Sequence, residues 1–388
     1  MDLILRRARL HDGRIVDIGI ADATIVALEP TLTADAPHEI AIDGRLTIPA
    51  FVNGQLHACK SFWRRIVTTL PPEQQTLSRF EVAHHVKQRY TVDDVVNRVD
   101  EVMQLAIQYG TCAIRLFADV DGASGLTAVK GLLRIRERYQ PWLTVQVVAF
   151  PQDGITSEET PALMRDALAM GADIVGGIPW IEQGQAAQQQ HVKLCFALAQ
   201  EFDRDLHFVC DDVVDPASRT LEMVARHALS AGWLGRVSAT QCAALSCYPA
   251  ADAADVIQLV KAAGMTIFSN SHVGLVATDF PARQPWPRGI TRVHELLAAG
   301  VPVACGQDDI DNWFYPFGRN DLLEVAHFMA HNGHLAWPHE SDQVLPMVTT
   351  APAHTMGLAN YGFGRWLHGE FACALTPDWH SALQFQVG

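Results

Sequence analysis

Ionisable side chains stand shortly after two apolar segments of strand length. Asp308 and Asp309 follow Val301–Cys305, and His57 follows Ile48–Val52. Carboxylate and imidazole groups are the usual proton carriers of general acid–base catalysis near neutral pH. We therefore expect Asp308 to act as an acid or base, with capping of a loop or helix as the alternative. His57 is either a proton carrier or a hydrogen-bonded residue of the fold.

The segments that position these groups repeat along the chain. Eight β-rich apolar segments occur, at Ile48–Val52, Cys112–Phe117, Leu143–Phe150, Asp173–Ile178, Leu206–Cys210, Val237–Thr240, Thr266–Ser269 and Val301–Cys305. Segments with helical periodicity, such as Val95–Ala106, lie between them. Eight strands that alternate with helices favour an α/β fold, a closed (β/α)8 TIM barrel. Such barrels carry their chemistry at the C-terminal ends of the strands. Because adjacent strand residues face opposite ways, only one of Asp308 and Asp309 is expected to face a pocket.

The two ends of the chain differ from the middle. Residues 1–50 alternate short apolar and polar runs broken by Gly and Asp, which predicts a small antiparallel β module. Short β-like runs return after about residue 357, at Phe371–Leu375 and Leu383–Val387. We expect residues 1–50 and 357–388 to build one small β domain outside a barrel of residues 51–356.

Composition restricts the possible partners. The 388 residues carry a formal net charge of −14, so there is no basic field to attract nucleic acid or an anionic membrane. No apolar run approaches the ~18 residues of a membrane span, and the N-terminus lacks the order of a signal peptide. The eight cysteines have no zinc-ribbon or C-x-x-C spacing. We therefore expect a cytoplasmic protein with reduced thiols, a small-molecule substrate, and no nucleic-acid or membrane partner.

Several segments near the predicted strand ends give the chain a resemblance to a known family. They are Val148–Ile155, Gly176–Pro179, Cys210–Asp212 with Ser218–Arg219, Arg288–Val293, Gly306–Asp309 and Tyr315–Gly318. Through them the sequence resembles the amidohydrolase superfamily and, within it, bacterial cytosine deaminase. The resemblance covers nearly the whole chain and is densest from about residue 140 to 330. It implies the barrel fold, action on a carbon–nitrogen bond of a small cyclic nitrogen-rich substrate, and a homo-oligomer.

The resemblance breaks down at the family's metal centre. Related enzymes use a His-x-His pair after the first barrel strand, one His after each of the fifth and sixth strands, and an Asp after the eighth. Here only His57 and Asp308 match; the other three positions hold Gln55, Val209 and Gln241. Amides are weak ligands and valine is none, so we expect no bound metal and no other cofactor. One further donor, His207, lies two residues before Val209 and so faces the same side of that strand.

Loss of the metal would change the chemistry that the pocket can perform. Zinc lowers the pKa of bound water from 15.7 to about 7, which corresponds to roughly 12 kcal/mol of nucleophile activation. A general base typically contributes only about 10²–10⁴-fold in rate. Either the substrate is already electrophilic, or the barrel does something other than the ancestral reaction.

The resemblance also suggests residues that contact substrate. Gln152 matches the amide that hydrogen-bonds the pyrimidine in the deaminase. Asp212 matches the proton-shuttling glutamate, one methylene shorter, with an ion pair or cap as its alternative role. Trp313 and Phe314 fall where the deaminase has a tryptophan near its ligand, so one of them should face the pocket. Trp180 replaces a histidine and makes the mouth more apolar.

Three glutamines form a further candidate set. Gln55, Gln241 and Gln307 all stand where the deaminase has histidines. Each amide offers donors and an acceptor to a neutral planar ligand. Alternatively, the amides merely fill the space that a metal centre would occupy.

Three functions follow from these patterns. The leading hypothesis is a metal-independent, cytosine deaminase-like hydrolase with Asp308, His57 and Asp212 as catalytic residues and Gln152 orienting the ring. The second is a hydrolase with a weakly bound metal on His57 and Asp308, with His207 as a further candidate ligand. The third is a catalytically silent homologue that binds a ligand or serves in an assembly.

Overall fold

The computed structural model describes residues 1–22, 24–277, 289–358 and 361. The first sheet along the chain is small and contains both antiparallel and parallel strand pairs. It contains β1 (Leu3–Arg9), β2 (Ile15–Ala21), β3 (Thr24–Glu29) and β4 (His38–Ala41), in the order β3-β2-β1-β4. β1 pairs antiparallel with β2, and β2 with β3. The expectation of a purely antiparallel module is wrong for β4, which pairs parallel with β1. The chain after β3 crosses to the opposite edge of the sheet, and a crossover of this kind permits a parallel strand.

Eight parallel strands form the main sheet. They are β5 (Phe51–Leu56), β6 (Thr111–Asp119), β7 (Thr144–Phe150), β8 (Ile174–Gly177), β9 (Asp205–Cys210), β10 (Val237–Gln241), β11 (Thr266–Phe268) and β12 (Val303–Ala304). Each pairs with its neighbour in chain order. The ring closes where the backbone N–H of His57 donates to the Asp308 carbonyl at 2.7 Å and the N–H of Asp308 donates to the Gln55 carbonyl at 2.9 Å. The predicted (β/α)8 barrel is confirmed.

Helices surround these strands. The described α-helices are α1 (Trp63–Val67), α2 (Pro72–Gln75), α3 (Arg79–Lys87), α4 (Val92–Gln108), α5 (Thr127–Tyr139), α6 (Thr160–Ala169), α7 (Gln185–Phe202), α8 (Thr220–Ala231), α9 (Ala250–Ala262), α10 (Ser271–Ala277), α11 (Val293–Ala298), α12 (Leu322–Asn332), α13 (Pro338–Ser341), α14 (Val344–Met347) and α15 (Thr350–Thr355). Single 3-10 turns follow three barrel strands, at Ala58–Lys60, Pro179–Ile181 and Ala243–Cys247.

The helix α4 illustrates how sequence fixes these elements. Thr91 accepts a hydrogen bond from the N–H of Asp94 and caps the helix, and acidic residues in the first turn favour its dipole. The apolar positions Val95, Val99 and Val102 are fully buried against the barrel. The strands themselves are covered by helices outside and by side chains inside, which is why all nine residues of β6 are buried.

Much of the second half of the predicted small domain lies outside the described residues. The segments Phe371–Leu375 and Leu383–Val387 and the residue Cys373 lie there. In the barrel, Arg288 is also outside the described residues. The last described residue, Tyr361, donates its hydroxyl proton to the carbonyl of Ala50. The chain after the barrel therefore returns to the point where residues 1–50 enter it. We propose on this ground that both ends build one domain. Among the described helices, none is long and apolar enough to cross a membrane.

Candidate active site

A cavity of about 160 Å³ opens at the C-terminal ends of the barrel strands. Polar groups line one part of it: His57, Lys60, Arg79, Gln152, Asp212, Gln241, Asp308 and Asp309. Apolar side chains line the rest, among them Phe150, Ile178, Trp180, Val209, Val213 and Phe314. The polar residues come from the ends of several strands, so the closed barrel alone brings them together. A cavity with apolar walls and convergent polar groups is typical of a small-molecule site.

Two amide groups hold the carboxylate of Asp308. Gln55 donates from Nε2 to Oδ1 at 2.9 Å, and Gln241 donates from Nε2 to Oδ2 at 2.6 Å. The aspartate is buried, and burial together with the charges of Asp309 and Asp212 raises its pKa well above the usual value. Its carboxyl group is therefore both fixed in orientation and a stronger base than an exposed aspartate.

The direction of the Gln55 hydrogen bond is set by the backbone. The N–H of Gly306 donates to Oδ1 of Asn270 at 2.9 Å, which turns the Asn270 amino group toward Gln55. That group donates to Oε1 of Gln55, also at 2.9 Å. Since a backbone N–H is only a donor, it sets the donor and acceptor in each hydrogen bond of this series. The last donor is Nε2 of Gln55, and Asp308 is the acceptor. Nothing in the sequence patterns had pointed to Asn270.

Both aspartates after β12 line the cavity, contrary to the expectation that only one would. The reason is the backbone at Asp308, whose φ of +63° lies in the left-handed region and interrupts the alternation of a strand. Asp309 is buried beside its Asn312 hydrogen-bond donor, and burial raises its pKa to about 6. Gln241, at the end of β10, has a similar φ of +66°. Strained backbone of this kind is characteristic of functional sites.

Lys60 occupies the centre of the polar wall. Its ammonium nitrogen lies 3.1 Å from Nδ1 of His57 and hydrogen-bonds Oε1 of Gln152. Asp119 is its counter-ion at 3.2 Å, and both charged side chains are buried. Lys60 therefore has two roles in the structure. The ion pair is present, but the lysine also lines the cavity.

The imidazole of His57 is enclosed by Phe117 and Phe150, with ring centroids 4.9 and 5.1 Å away. Its Nε2 faces Oδ1 of Asp308 at 3.5 Å. Burial and the neighbouring Lys60 charge lower the pKa of His57 well below its usual value, so the ring is neutral near pH 7.

The other residues predicted for the site divide into two groups. Gln152, Asp212, Trp180 and Phe314 line the cavity. Three do not line it: Gln55 holds Asp308 from behind, Trp313 packs on the main core, and Gln307 accepts from the N–H of Asn320. For Gln307 this placement favours the alternative in which the amide has a role in packing, because it hydrogen-bonds the backbone of Asn320 and Asp309.

The residues at the family's metal positions do not fit a metal ion. Gln55 and Gln241 direct N–H donors, not lone pairs, at Asp308. Val209 adds an apolar side chain to the cavity wall. His207 does not replace the missing ligands. Its Nδ1 lies 3.1 Å from the Arg115 guanidinium, both side chains are buried, and neither lines the cavity. Within the described part of the chain, no group of three His, Cys, Asp or Glu side chains is arranged to hold a metal.

Comparison with known proteins agrees with the fold. N-isopropylammelide isopropyl amidohydrolase of Pseudomonas sp. (strain ADP) is 28% identical over 400 residues, covering 97% of this chain and 92% of the relative. Pterin deaminase of Rhizobium rhizogenes is 29% identical over 354 residues, covering 89% and 78%. The structure of 5-methylcytosine deaminase from Klebsiella pneumoniae, liganded with 5-fluorocytosine, superimposes with a TM-score of 0.88 at 28% identity, covering 98% of this chain and 93% of that one.

The names of these relatives denote enzymes that break carbon–nitrogen bonds. A family model described as "Amidohydrolase family" matches residues 38–363, which is most of the sequence. The similarity found in the sequence to cytosine deaminase-like amidohydrolases is thereby confirmed. The chain belongs to the amidohydrolase family.

Proposed function

We propose that this protein hydrolyses a carbon–nitrogen bond of a small, planar, nitrogen-rich ring without a bound metal. The observation that carries the proposal is the pair of amide donors on Asp308. Each carboxylate oxygen accepts a hydrogen bond from a glutamine that stands at a sequence position where family members carry a metal ligand. The similarity to an ammelide amidohydrolase and to pterin and cytosine-type deaminases supports the class of substrate.

The cavity suits a flat aromatic ring. Phe150, Trp180 and Phe314 supply aromatic surface, and Gln152 and His57 supply hydrogen bonds at one edge. A volume of about 160 Å³ is comparable to that of a single ring system with small substituents. Aromatic walls together with amide and imidazole groups favour a planar heterocycle with hydrogen-bonding groups on its edge.

Asp308 is the base in the proposed reaction. It takes a proton from a water molecule while the water oxygen attacks the electron-poor ring carbon that carries the leaving nitrogen. The C–N bond then breaks, and the nitrogen departs with the proton returned by the Asp308 carboxyl. The ring carbon keeps the hydroxyl group, which becomes a carbonyl when its proton moves to the adjacent ring nitrogen. A base of this kind contributes about 10²–10⁴-fold, so the substrate must be more electrophilic than a simple aminopyrimidine.

Asp212 is placed to assist at the cavity mouth. Its carboxylate lines the same cavity and contributes to the raised pKa of Asp308. We propose that it accepts hydrogen bonds from the leaving amino group. This role is compatible with its position after β9, where the deaminase carries its shuttle carboxylate.

The test is a panel of aminotriazines, aminopyrimidines and pterins incubated with chelator-treated protein, with released amine or ammonia as the readout. We expect turnover of at least one ring compound, unaffected by chelator, and a loss of about 10²–10⁴-fold in Asp308→Asn. The matched control is Asp203→Asn, which makes the same change at an exposed aspartate and should retain full activity. Turnover that disappears with chelator and returns with one equivalent of zinc would overturn metal independence.

The same panel addresses the silent-homologue alternative. Ring compounds that raise the melting temperature but release no product would show a binding protein rather than an enzyme. Full turnover in Asp308→Asn would remove the proposed base.

A further inference from the structure

We propose that Lys60 is a positioning residue that fixes one wall of the cavity as a hydrogen-bond donor surface, by holding His57 as its Nε2–H tautomer and turning the amino group of Gln152 toward the ligand. This inference rests on the function proposed above and deepens it. It specifies which edge of a ring the site can recognise.

The argument begins with the chemistry of an ammonium group, which donates hydrogen bonds and accepts none. Lys60 lies 3.1 Å from Nδ1 of His57, so Nδ1 must be the acceptor. The single proton of a neutral imidazole is then on Nε2. Because an imidazolium would carry a proton on Nδ1 as well, this contact also requires a neutral ring.

The same reasoning applies to Gln152. Because Lys60 donates to the amide of Gln152, the atom that receives the hydrogen bond is the carbonyl oxygen Oε1. The NH2 end of Gln152 therefore remains for the cavity that this residue lines. One buried cation thus sets the polarity of two side chains that are 95 residues apart.

Local structure makes this arrangement possible. The 3-10 turn Ala58–Lys60 follows β5 directly, and the N–H of Lys60 donates to the carbonyl of His57 at 3.0 Å. That turn folds the lysine side chain back over the imidazole. Asp119, at the end of β6, is the counter-ion of the Lys60 ammonium at 3.2 Å. Phe117 and Phe150 pack against the imidazole ring of His57 and restrict its rotation.

The consequence is a division of roles inside the cavity. With its proton on Nε2 and with Nδ1 occupied by Lys60, His57 has no free lone pair to accept a proton from substrate, so it is not the base. Proton acceptance falls to the carboxylates of Asp308 and Asp212, which line the same cavity. A ring that fits must place a carbonyl oxygen or an unprotonated ring nitrogen against His57 and Gln152, and an N–H or NH2 group toward the carboxylates.

The tautomer can be measured on ligand-free protein. Full-length protein with 15N-labelled histidine gives long-range 1H–15N correlations that distinguish Nε2–H from Nδ1–H, with His57 assigned from the spectrum of His57→Asn. We expect the Nε2–H pattern in the wild type and loss of that pattern in Lys60→Met. Lys193→Met, which removes an exposed lysine, should leave it unchanged.

Two results would overturn the proposal: a proton on Nδ1 in the wild type, or an unchanged Nε2–H pattern in Lys60→Met. If Lys60→Met does not fold because Asp119 is left unpaired, Lys60→Met/Asp119→Asn removes both charges and serves the same comparison. No substrate enters the measurement. Failure here is therefore distinct from failure to find turnover in the panel.

Discussion

At the scale of single residues, the exchange of imidazoles for amides reverses the direction of the interactions at Asp308. A histidine ligand offers a lone pair to a metal, whereas Gln55 and Gln241 offer protons to the carboxylate. The aspartate keeps two favourable partners in either arrangement. The carboxylate that would have been a ligand is left available as a base.

Restoring the imidazoles should restore metal binding. The variant Gln55→His/Val209→His/Gln241→His completes the five positions of the family pattern, and we expect it to retain about one equivalent of zinc or another divalent metal. The wild type, purified and dialysed in the same metal-free buffer, should retain far less than one equivalent. Elemental analysis of both proteins measures this. A stoichiometric metal in the wild type would contradict the fit argument.

At the scale of elements, the site depends on how the barrel strands end. The last residues of β10 and the residues after β9 and β12 adopt positive φ, with values of +66° at Gln241, +49° at Asp211 and +63° at Asp308. Left-handed residues turn the chain sharply, so adjacent side chains separate into different environments. After β9, Asp211 turns into the protein and Asp212 lines the cavity.

Asp211 should therefore matter for stability rather than for chemistry. It accepts hydrogen bonds from Ser218 Oγ, from both N–H and Oγ1 of Thr220, and from the N–H of Leu221, and so caps the start of α8. We expect Asp211→Ala to lower the free energy of unfolding by about 2–3 kcal/mol. Asp215→Ala removes an exposed aspartate of the same loop that accepts from one N–H, at 2.9 Å. It should cost less than about 1 kcal/mol.

Urea titration of the two variants measures the difference. The midpoints should move while the slope stays constant, because neither change alters the surface exposed on unfolding. Equal losses in the two variants would show that Asp211 contributes no more than a surface cap.

At the scale of the whole molecule, stability at low pH depends on buried groups that join distant segments. Glu182 accepts hydrogen bonds from the N–H of Ile155, from Thr156 and from His191, which links the loop after β7 to α7. These interactions lower its pKa to about 2 despite the opposing effect of burial. His191 accepts from the N–H of Ile178 at its other nitrogen, so the ring is neutral and burial lowers its pKa.

Acid should therefore weaken the fold in a defined window. A carboxyl group with a folded pKa of about 2 and an unfolded value of 4.5 contributes stability that is complete above about pH 4.5 and is lost as the pH falls toward 2. We expect a loss on the order of 2 kcal/mol from Glu182 across this range. In Glu182→Gln the stability should be lower near neutral pH and should fall less between about pH 5 and pH 3.

The measurement is the unfolding free energy of the wild type and of Glu182→Gln at several pH values. The difference between the two proteins at each pH isolates the contribution of Glu182 from that of the other charges in a protein of net charge −14. Parallel curves for the two proteins would contradict the assignment of the lowered pKa to Glu182. The predicted homo-oligomer is addressed by the same samples, since an equilibrium between subunits makes the unfolding midpoint depend on protein concentration.

The sequence by itself determined the barrel, because eight apolar strand segments separated by amphipathic helices have few other ways to bury their surfaces. It also indicated which positions of the family's metal pattern had lost their imidazoles, since ligand identity is a property of the residue type. Five of the eight strand segments match the observed strands β7 to β11 within one residue at each end: Leu143–Phe150, Asp173–Ile178, Leu206–Cys210, Val237–Thr240 and Thr266–Ser269.

Only the tertiary structure decided how the site works. The contact between Gln55 and Asp308 joins residues 253 positions apart, and no local pattern predicts the direction of its hydrogen bond. The second cavity aspartate depends on a positive φ at Asp308, and the roles of Lys60 and Asn270 depend on which atoms face each other across the barrel. Hydrogen-bond polarity is set by mutual orientation in three dimensions, and that orientation exists only once the barrel has closed.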